Sequence, residues 1–176
     1  MAVLDPLKVV ITNWPEDKIE QMEQENMPGD ESAGTRKVPF GREIYIERDD
    51  FMEDPPKNFY RLAPGREVRL KGAYIIRCET VIKDAAGKIT ELHCTYDPQT
   101  KSGQDTSGKK VKGVIHWVPV QHAARITVRL YDTLFLKENP EDDDEGDFIN
   151  SINPNSLITL TDVPVEPAVA AAAPGS

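Results

Sequence analysis

Short segments in which apolar and polar residues alternate recur along the chain, and they constrain its fold more than any other feature. The alternation is clearest in residues 42–48, 67–81 and 124–132, and a run of β-branched residues at 7–12 adds another strand signal. A period of two places successive side chains on opposite faces of a strand. The chain is therefore expected to form a half-buried sheet.

About eight strands can be counted from these patterns, and no long amphipathic helix is indicated. Residues 84–87 carry a turn signal that ends in glycine, so 88–96 are expected to pair back on 67–81 as an antiparallel hairpin. Further strands are predicted at 109–118 and 156–161. The predicted class is all-β, barrel-like and built from antiparallel meanders.

Three segments are predicted to lie outside this framework. Residues 15–36 are acidic, contain a Pro-Gly pair and have few large apolar side chains, which is typical of an exposed loop. Residues 137–147 form an acidic insertion, in which the aspartates at 142–144 lack the spacing of a calcium loop. The final segment, 163–176, is expected to be a tail with nothing to bury.

Charge is distributed unevenly along this acidic chain. Residues 57–133 contain 14 Lys and Arg against 7 Asp and Glu, which gives +7, whereas the remainder carries −16 within a total of −9. A basic block between acidic flanks can present a local positive surface to a polyanion. An ordinary solvated β-surface is the alternative interpretation of the same charges.

Composition restricts the setting of the protein. At 176 residues with 39% apolar content, the chain can build a modest core. No apolar run approaches the roughly 20 residues that span a bilayer, and the first residues do not read as a secretion signal. Cys78 and Cys94 are too few for a disulfide scaffold or a zinc site, so we expect buried strand cysteines in a reducing, cytoplasmic setting.

Catalytic motifs are not found in this sequence. It contains no nucleophile motif, phosphate loop or dinucleotide glycine fingerprint, and its three histidines, His93, His116 and His122, fall on different elements. His116 is interpreted as a packed strand residue rather than a general base. No cofactor is expected to bind this part of the chain.

A binding constellation is easier to recognise. Planar donors and aromatic rings occur together in the basic block, a combination that hydrogen-bonds and stacks unpaired RNA bases. An arginine fork also matches the O6 and N7 acceptors of guanine. The residues concerned are Asn58, Phe59, Tyr60, Arg61, Arg69, Lys71 and Tyr74.

Four motifs resemble the C-terminal anticodon-binding region of glutaminyl-tRNA synthetases: FGREIYIERDDF, YRLAPGREVRLKGAYII, KVKGVIHWV and VRLYDTLF. The resemblance extends over nearly the whole chain, with these motifs in the family's order and spacing. Eukaryotic-type glutamyl-tRNA synthetases share parts of it and are the nearest alternative. A ribosomal-type barrel that binds structured RNA and a protein-docking module are further alternatives.

The resemblance implies two antiparallel β-barrels, one inserted in the other, of the type shared with a ribosomal 5S RNA-binding protein. Residues 1–56 and 134–176 would form the barrel nearer the catalytic body, lacking its closing strands, and 57–133 the distal barrel. These boundaries coincide with the limits of the basic block at 57–133. The family's catalytic domain, which uses ATP with magnesium, would lie upstream, so the chain is expected to be an inactive fragment of a longer ligase.

The resemblance also implies roles for five residues. Arg61 would recognise a guanine at the third anticodon position, and Arg69 and Lys71 would lie at the first base. Asn58 and Tyr60 occupy positions that also contact the anticodon. The implied partners are the anticodon loop of tRNA(Gln) and the parent catalytic domain, in a protein expected to be monomeric and not to bind membranes.

Overall fold

The computed structural model describes residues 1–139 and 148–173. The described residues form eleven strands and one four-residue α-helix. The strands are β1 (Pro6–Ile11), β2 (Glu20–Glu25), β3 (Thr35–Phe40), β4 (Glu43–Glu47), β5 (Glu67–Leu70), β6 (Ile75–Lys83), β7 (Ile89–Asp97), β8 (Val114–Ile115), β9 (Val118–Pro119), β10 (Ala124–Tyr131) and β11 (Leu157–Val165), and the helix is α1 (Pro167–Ala170). The predicted all-β class is confirmed, and no helix among these residues is long and apolar enough to cross a membrane.

Seven strands form one curled, half-barrel sheet in the order β8-β5-β6-β7-β1-β4-β9, and β10-β11 and β2-β3 form two-stranded ribbons. Most pairs are antiparallel, but β1 pairs with β7 and β5 with β8 in parallel, so the sheet is mixed rather than a pure meander. The pairing of β1 with β7 joins a strand of 1–56 to a strand of 57–133. The inserted two-barrel division remains a prediction.

Aromatic side chains fill the centre of the core. Trp14 and Trp117 are fully buried, and their rings lie 4.8 Å and 4.9 Å from that of Phe40 in edge-to-face geometry. Tyr74 lies 5.8 Å from Phe40 and only 5% of it is exposed, so it belongs to the core and is not available to an RNA base. Edge-to-face contacts of this kind stabilise a core beyond the area that they bury.

The sequence prediction of an exposed loop at 15–36 is wrong for the two strand portions, whereas residues 26–34 between the strands are exposed as predicted. Strands β2 and β3 pair in register as an antiparallel hairpin. Met22 and Gln24 alternate inward from β2 and are buried, although the intervening glutamate and glutamine residues give the segment a polar composition. Two buried positions are enough to fix one face of so short a strand.

The predicted long strand at 67–81 is interrupted by a turn. Its two halves, β5 and β6, pair with each other antiparallel, and Gly72 adopts φ +62° between them. A Cβ built on Gly72 would lie only 2.3 Å from the end of the Gln24 side chain. The Nε2 of Gln24 donates to the Lys71 carbonyl at 2.7 Å. The positive φ and this close approach both require glycine at position 72.

The prediction of a tail with nothing to bury is wrong for residues 163–166, which are buried, whereas residues 167–173 are exposed. Strand β11 continues through buried Val163 and Val165, and Ala2 forms an antiparallel bridge to Val165. The buried Glu166 carboxylate pairs with the Met1 amino group and accepts from Arg36 Nε at 2.8 Å. The charged partners explain why this carboxylate can be buried.

Several further sequence predictions can be placed. Strands at 7–12, 42–48, 88–96, 124–132 and 156–161 are confirmed with small shifts, and the glycine of the turn at 84–87 has φ +81°. The predicted strand at 109–118 is reduced to β8 and β9, because its basic first half runs along the surface. Both cysteines are buried and free. The acidic aspartates at 142–144 lie outside the described residues.

Candidate nucleic-acid interface

An open groove of about 430 Å³ lies between the segment that precedes β5 and the basic segment that precedes β8. Its walls carry five cationic side chains and one carboxylate, together with two aromatic rings. The lining residues are Phe59, Tyr60, Arg61, Gly65, Arg66, Glu67, Arg77, Lys110, Val111, Lys112 and Gly113. A groove of this composition can hold a polyanionic strand against aromatic surface.

One wall of the groove is fixed by backbone pairing. The Leu62 amide donates to the Asp50 carbonyl at 3.0 Å, and the Met52 amide donates to the Leu62 carbonyl at 3.2 Å. The Leu62 side chain is fully buried beneath this ladder. The neighbouring residues Tyr60 and Arg61 are therefore held at the surface of the core rather than on a free loop.

Gly113 brings the two walls together. A Cβ built on Gly113 would lie 1.7 Å from the Tyr60 carbonyl oxygen, so only glycine allows this approach. Next to it, Lys112 Nζ lies 4.8 Å from the centre of the Tyr60 ring in a cation–π arrangement. Tyr60 remains 53% exposed, which leaves ring surface accessible to a stacking partner.

The cations of the groove are weakly neutralised. Lys110 and Lys112 form no ion pair with any residue in 1–139 or 148–173. Arg66 donates to the Phe59 carbonyl at 3.1 Å, and Arg77 donates to the Gly65 carbonyl at 3.2 Å. These carbonyl contacts orient both guanidinium groups, and Arg77 also has a long, exposed ion pair with Glu79 at 3.9 Å.

Arg61 lies on the boundary between the groove and a second cleft of opposite charge. The second cleft has a volume of about 500 Å³ and is lined by Asp5, Glu47, Asp49 and Asp50 beside His116.

 In the part of the chain that the structure describes, Asp50 is the only polar partner of the Arg61 guanidinium, with Nε 3.0 Å from Asp50 Oδ1. Burial raises the pKa of Asp50, and the positive charge of Arg61 opposes that rise.

Arg69 and Lys71 do not line the groove. Arg69 Nη1 donates to the Thr100 carbonyl at 2.7 Å, and Nη2 pairs with Asp105 Oδ2 at 2.6 Å. Lys71 is exposed at the turn between β5 and β6, beside a separate depression that contains Gly72 and Ser102. The structure therefore brings Tyr60 and Arg61 together and places Arg69 and Lys71 elsewhere, while Asn58 is exposed shortly before the groove.

Sequence reasoning missed four of the cations that line the groove. Arg66, Arg77, Lys110 and Lys112 come from three separate segments, so their proximity has no local sequence signal. The basic run KKVKG at 109–113 was the available signal for this wall of the groove. Its lysines indicate a charged segment, and its glycine indicates a close approach of another backbone.

The described residues contain no cluster of three or more His, Cys, Asp or Glu that could hold a metal ion. His93 Nε2 lies 2.8 Å from Glu91 Oε1, and His116 Nε2 lies 2.9 Å from the Ala2 carbonyl oxygen. Each imidazole thus has a structural partner and neither faces a nucleophile.

Comparisons with known proteins identify the family of the chain. Family models described as "tRNA synthetases class I (E and Q), anti-codon binding domain" match residues 1–97 and 114–176. The chain is 58% identical over 176 residues to the glutamine–tRNA ligase of Rhodopirellula baltica, covering 99% of this chain and 29% of that protein. The glutamine–tRNA ligase of Clostridium perfringens is 55% identical over 174 residues, covering 99% and 31%.

The chain thus spans about three tenths of the length of these relatives. The family models match the wall of the groove that contains residues 59–67 and leave residues 98–113 unmatched, which include the wall at 110–113. The alignment with the Rhodopirellula baltica protein, over 176 residues, spans both walls. It confirms the resemblance inferred from the four sequence motifs. The chain belongs to the family of anticodon-binding domains of class I glutamyl- and glutaminyl-tRNA synthetases.

Proposed function

We propose that this chain reads the anticodon loop of tRNA(Gln) as part of a longer glutamine–tRNA ligase, and that the loop binds in the basic groove. The observation that carries the proposal is the groove itself, in which exposed Tyr60 and five cations face the same open space. Unpaired bases are bound by stacking on aromatic rings, and their phosphates by cations.

In this proposal the residues have different tasks. Arg61 recognises the guanine at the third anticodon position, because its fork can donate two parallel hydrogen bonds. Tyr60 offers a ring for stacking, and Asn58 supplies an amide at the entrance of the groove. Arg69 and Lys71 act at the first base. Lys71 lines the separate depression and is exposed, whereas Arg69 is paired with Asp105 and is the less accessible of the two.

The glutamine-specific interpretation is favoured over the glutamyl alternative by the relatives described above, which are glutamine–tRNA ligases at 55–58% identity. The complete protein would attach glutamine to its tRNA by means of ATP and magnesium bound in a catalytic part. We place that reaction in the cytoplasm and expect the 176-residue chain alone to have no aminoacylation activity.

The parent catalytic domain is the second proposed partner. The end of the β10-β11 ribbon at which Tyr131 pairs with Leu157 exposes several large apolar side chains. Exposed apolar patches of this kind commonly mark contact sites for other proteins or domains. They include Tyr131, Leu134, Leu136, Phe148, Ile149 and Leu157. Replacing Tyr131 and Leu136 by serine should weaken association with a separately produced catalytic part, and unchanged association would refute this contact.

The proposed RNA function is tested by footprinting full-length tRNA with the 176-residue chain. Protection confined to the anticodon loop is expected, whereas protection of paired stems would favour a ribosomal-type reader of RNA shape. The affinity should also fall with salt, by about 0.7 in the log–log slope for each single-strand phosphate contact. An absence of salt-dependent RNA binding would instead indicate a protein-docking module. The chain is expected to remain monomeric during these measurements.

A further inference from the structure

Arg61 differs from the other cations of the groove in the support that it receives. Its side chain is 54% exposed, yet its Nε faces a carboxylate that is only 9% exposed. Arg66 and Arg77 instead contact backbone carbonyls, and Lys112 contacts the Tyr60 ring. Arg61 is therefore the groove cation with a buried anionic partner among the described residues.

The backbone that carries the Asp50 carboxylate is held in place by pairing with the Arg61 segment. Asp50 ends a short 3-10 helix, Arg48–Asp50, and its carbonyl accepts from the Leu62 amide at 3.0 Å. A bridge between Phe51 and Leu62 continues the same backbone pairing. The backbones that carry Asp50 and Arg61 are consequently joined one residue away from the ion pair.

This geometry restricts which edge of the guanidinium can meet a ligand. A guanidinium has two edges that each offer a pair of parallel donors, one formed by the terminal nitrogens and one that includes Nε. Because the Asp50 carboxylate lies nearest to Nε, at 3.0 Å in an ion pair, the pair of terminal nitrogens is the edge left for an incoming base. A guanine presents two adjacent acceptors that match such an edge.

We propose that Asp50 is a positioning residue for base recognition, which fixes the Arg61 guanidinium so that its terminal nitrogens select guanine at the third anticodon position. This inference rests on the proposed function, since it assumes that the anticodon occupies the groove. Asp50 does not touch the RNA in this account. Its effect is on the choice between bases, and not on the attraction of phosphates.

Other charged groups surround the same carboxylate. Glu47, Asp49 and His116 face the acidic cleft beside Arg61, and burial raises the pKa of Asp50 against the attraction of Arg61. A buried carboxylate is costly to ionise without a partner. The positive charge of Arg61 is the compensating partner that this carboxylate has on the groove side.

The test measures affinities of the 176-residue chain for four anticodon stem-loops that differ only in the third anticodon base. Asp50→Asn should reduce the preference for guanine over adenine about tenfold, and the salt slope should stay the same, because no phosphate contact is lost. Asp54→Asn is the matched control, since it removes the same charge from an exposed residue outside both clefts. It should leave the preference unchanged.

A double-mutant cycle with Arg61→Lys tests whether Asp50 affects base preference through the Arg61 guanidinium or independently of it. Lysine keeps the charge and lacks the fork, so Arg61→Lys should lose the preference, and adding Asp50→Asn should then change it little further. Thermal unfolding reports whether each variant is folded. If Asp50→Asn does not fold, Asp50→Glu replaces it, and the displaced carboxylate should again lower the preference.

The outcomes distinguish this inference from the proposed function. Full guanine preference in Asp50→Asn, or an equal loss of affinity for all four stem-loops, would overturn the positioning role while leaving the groove as the RNA site. A wild-type chain that binds none of the stem-loops would instead refute the proposed function.

Discussion

The cationic side chains of the groove carry the same charge but differ in the partners that orient them. Arg61 combines exposure with an ion pair to buried Asp50, whereas Lys110 and Lys112 have no anionic partner among the described residues. An oriented guanidinium can discriminate between bases, and an unrestrained ammonium acts mainly as a point charge. Specificity and affinity are therefore expected to depend on different residues.

Replacement of Arg61 tests this separation. Arg61→Ala should lose about 1–3 kcal/mol of binding to a stem-loop whose anticodon ends in guanine, because one bidentate pair contributes about that much. The loss should be smaller for the other three bases. Equal losses for all four, measured by titration at one salt concentration, would mean that Arg61 contacts only the backbone of the RNA. Arg69→Ala and Lys71→Ala should change third-base preference less.

Gly113 provides a second residue-scale prediction. Gly113→Ala should displace the Tyr60 segment and cost about 1–3 kcal/mol in the free energy of unfolding, because its methyl group would collide with a backbone carbonyl. Binding of the stem-loop should weaken as well. Gly41→Ala is the control, since its methyl group would meet the movable end of the Ile19 side chain at 3.0 Å and would lie at ordinary contact distance, 3.9 Å, from the Lys18 carbonyl oxygen. Similar stability of the two variants by chemical denaturation would contradict the close approach.

Two of the residues predicted from the sequence, Tyr60 and Arg61, line the groove, and one predicted aromatic residue, Tyr74, lies in the core. Tyr60 and Arg61 are adjacent in the chain, so their proximity follows directly from the sequence. Tyr74 looked equally suitable, but its ring packs into the aromatic core and its hydroxyl donates to Glu20. Whether a tyrosine on a strand faces the core or solvent depends on register, which local composition does not determine.

At the scale of elements, the β2-β3 hairpin is joined to the main sheet through Glu20 at the start of β2. Its carboxylate pairs with Lys101 at 2.6 Å and with Lys18 at 3.2 Å, and accepts from the Tyr74 hydroxyl. Burial disfavours ionisation of Glu20, but these three partners outweigh it and lower the pKa. Glu20 thus stabilises the fold in its charged form.

The lowered pKa of Glu20 predicts how the stability of the fold depends on pH. The folded chain binds a proton at Glu20 more weakly than the unfolded chain does. The contribution of Glu20 to the free energy of unfolding is therefore present above the ordinary pKa of 4.5 and is lost as the pH falls below it. Glu20→Gln should cost about 1 kcal/mol at neutral pH and less in acid. Glu16→Gln is the control, since its side chain is 80% exposed. The same loss at both pH values, measured by urea denaturation, would contradict this account.

Elements were predicted well where strands follow one another with a strong alternation, as in the hairpin of β6 and β7. They were missed where few positions are buried, as in β2, or where a glycine turn interrupts an apparently continuous pattern, as at Gly72. In both cases tertiary contacts decide the structure: Met22 and Gln24 are buried against the core, and Gln24 packs on the turn at Gly72.

At the scale of the whole molecule, the charge partition and the all-β class could be predicted from the sequence. The parallel pairing of β1 with β7 could not, because strands separated by about 80 residues leave no local pattern for their register. The groove is likewise assembled from segments around residues 60, 66, 77 and 111. Its existence depends on the sheet that brings those segments together.

Photocrosslinking is the most direct test of the claim that the anticodon binds in this groove. A stem-loop carrying 6-thioguanosine at the third anticodon position would be irradiated with the 176-residue chain, and the crosslinked peptide identified by mass spectrometry. Crosslinks are predicted within residues 59–61 or 110–113, and an excess of unmodified stem-loop should suppress them. Competable crosslinks confined to the β10-β11 ribbon or to the β2-β3 hairpin would contradict the account.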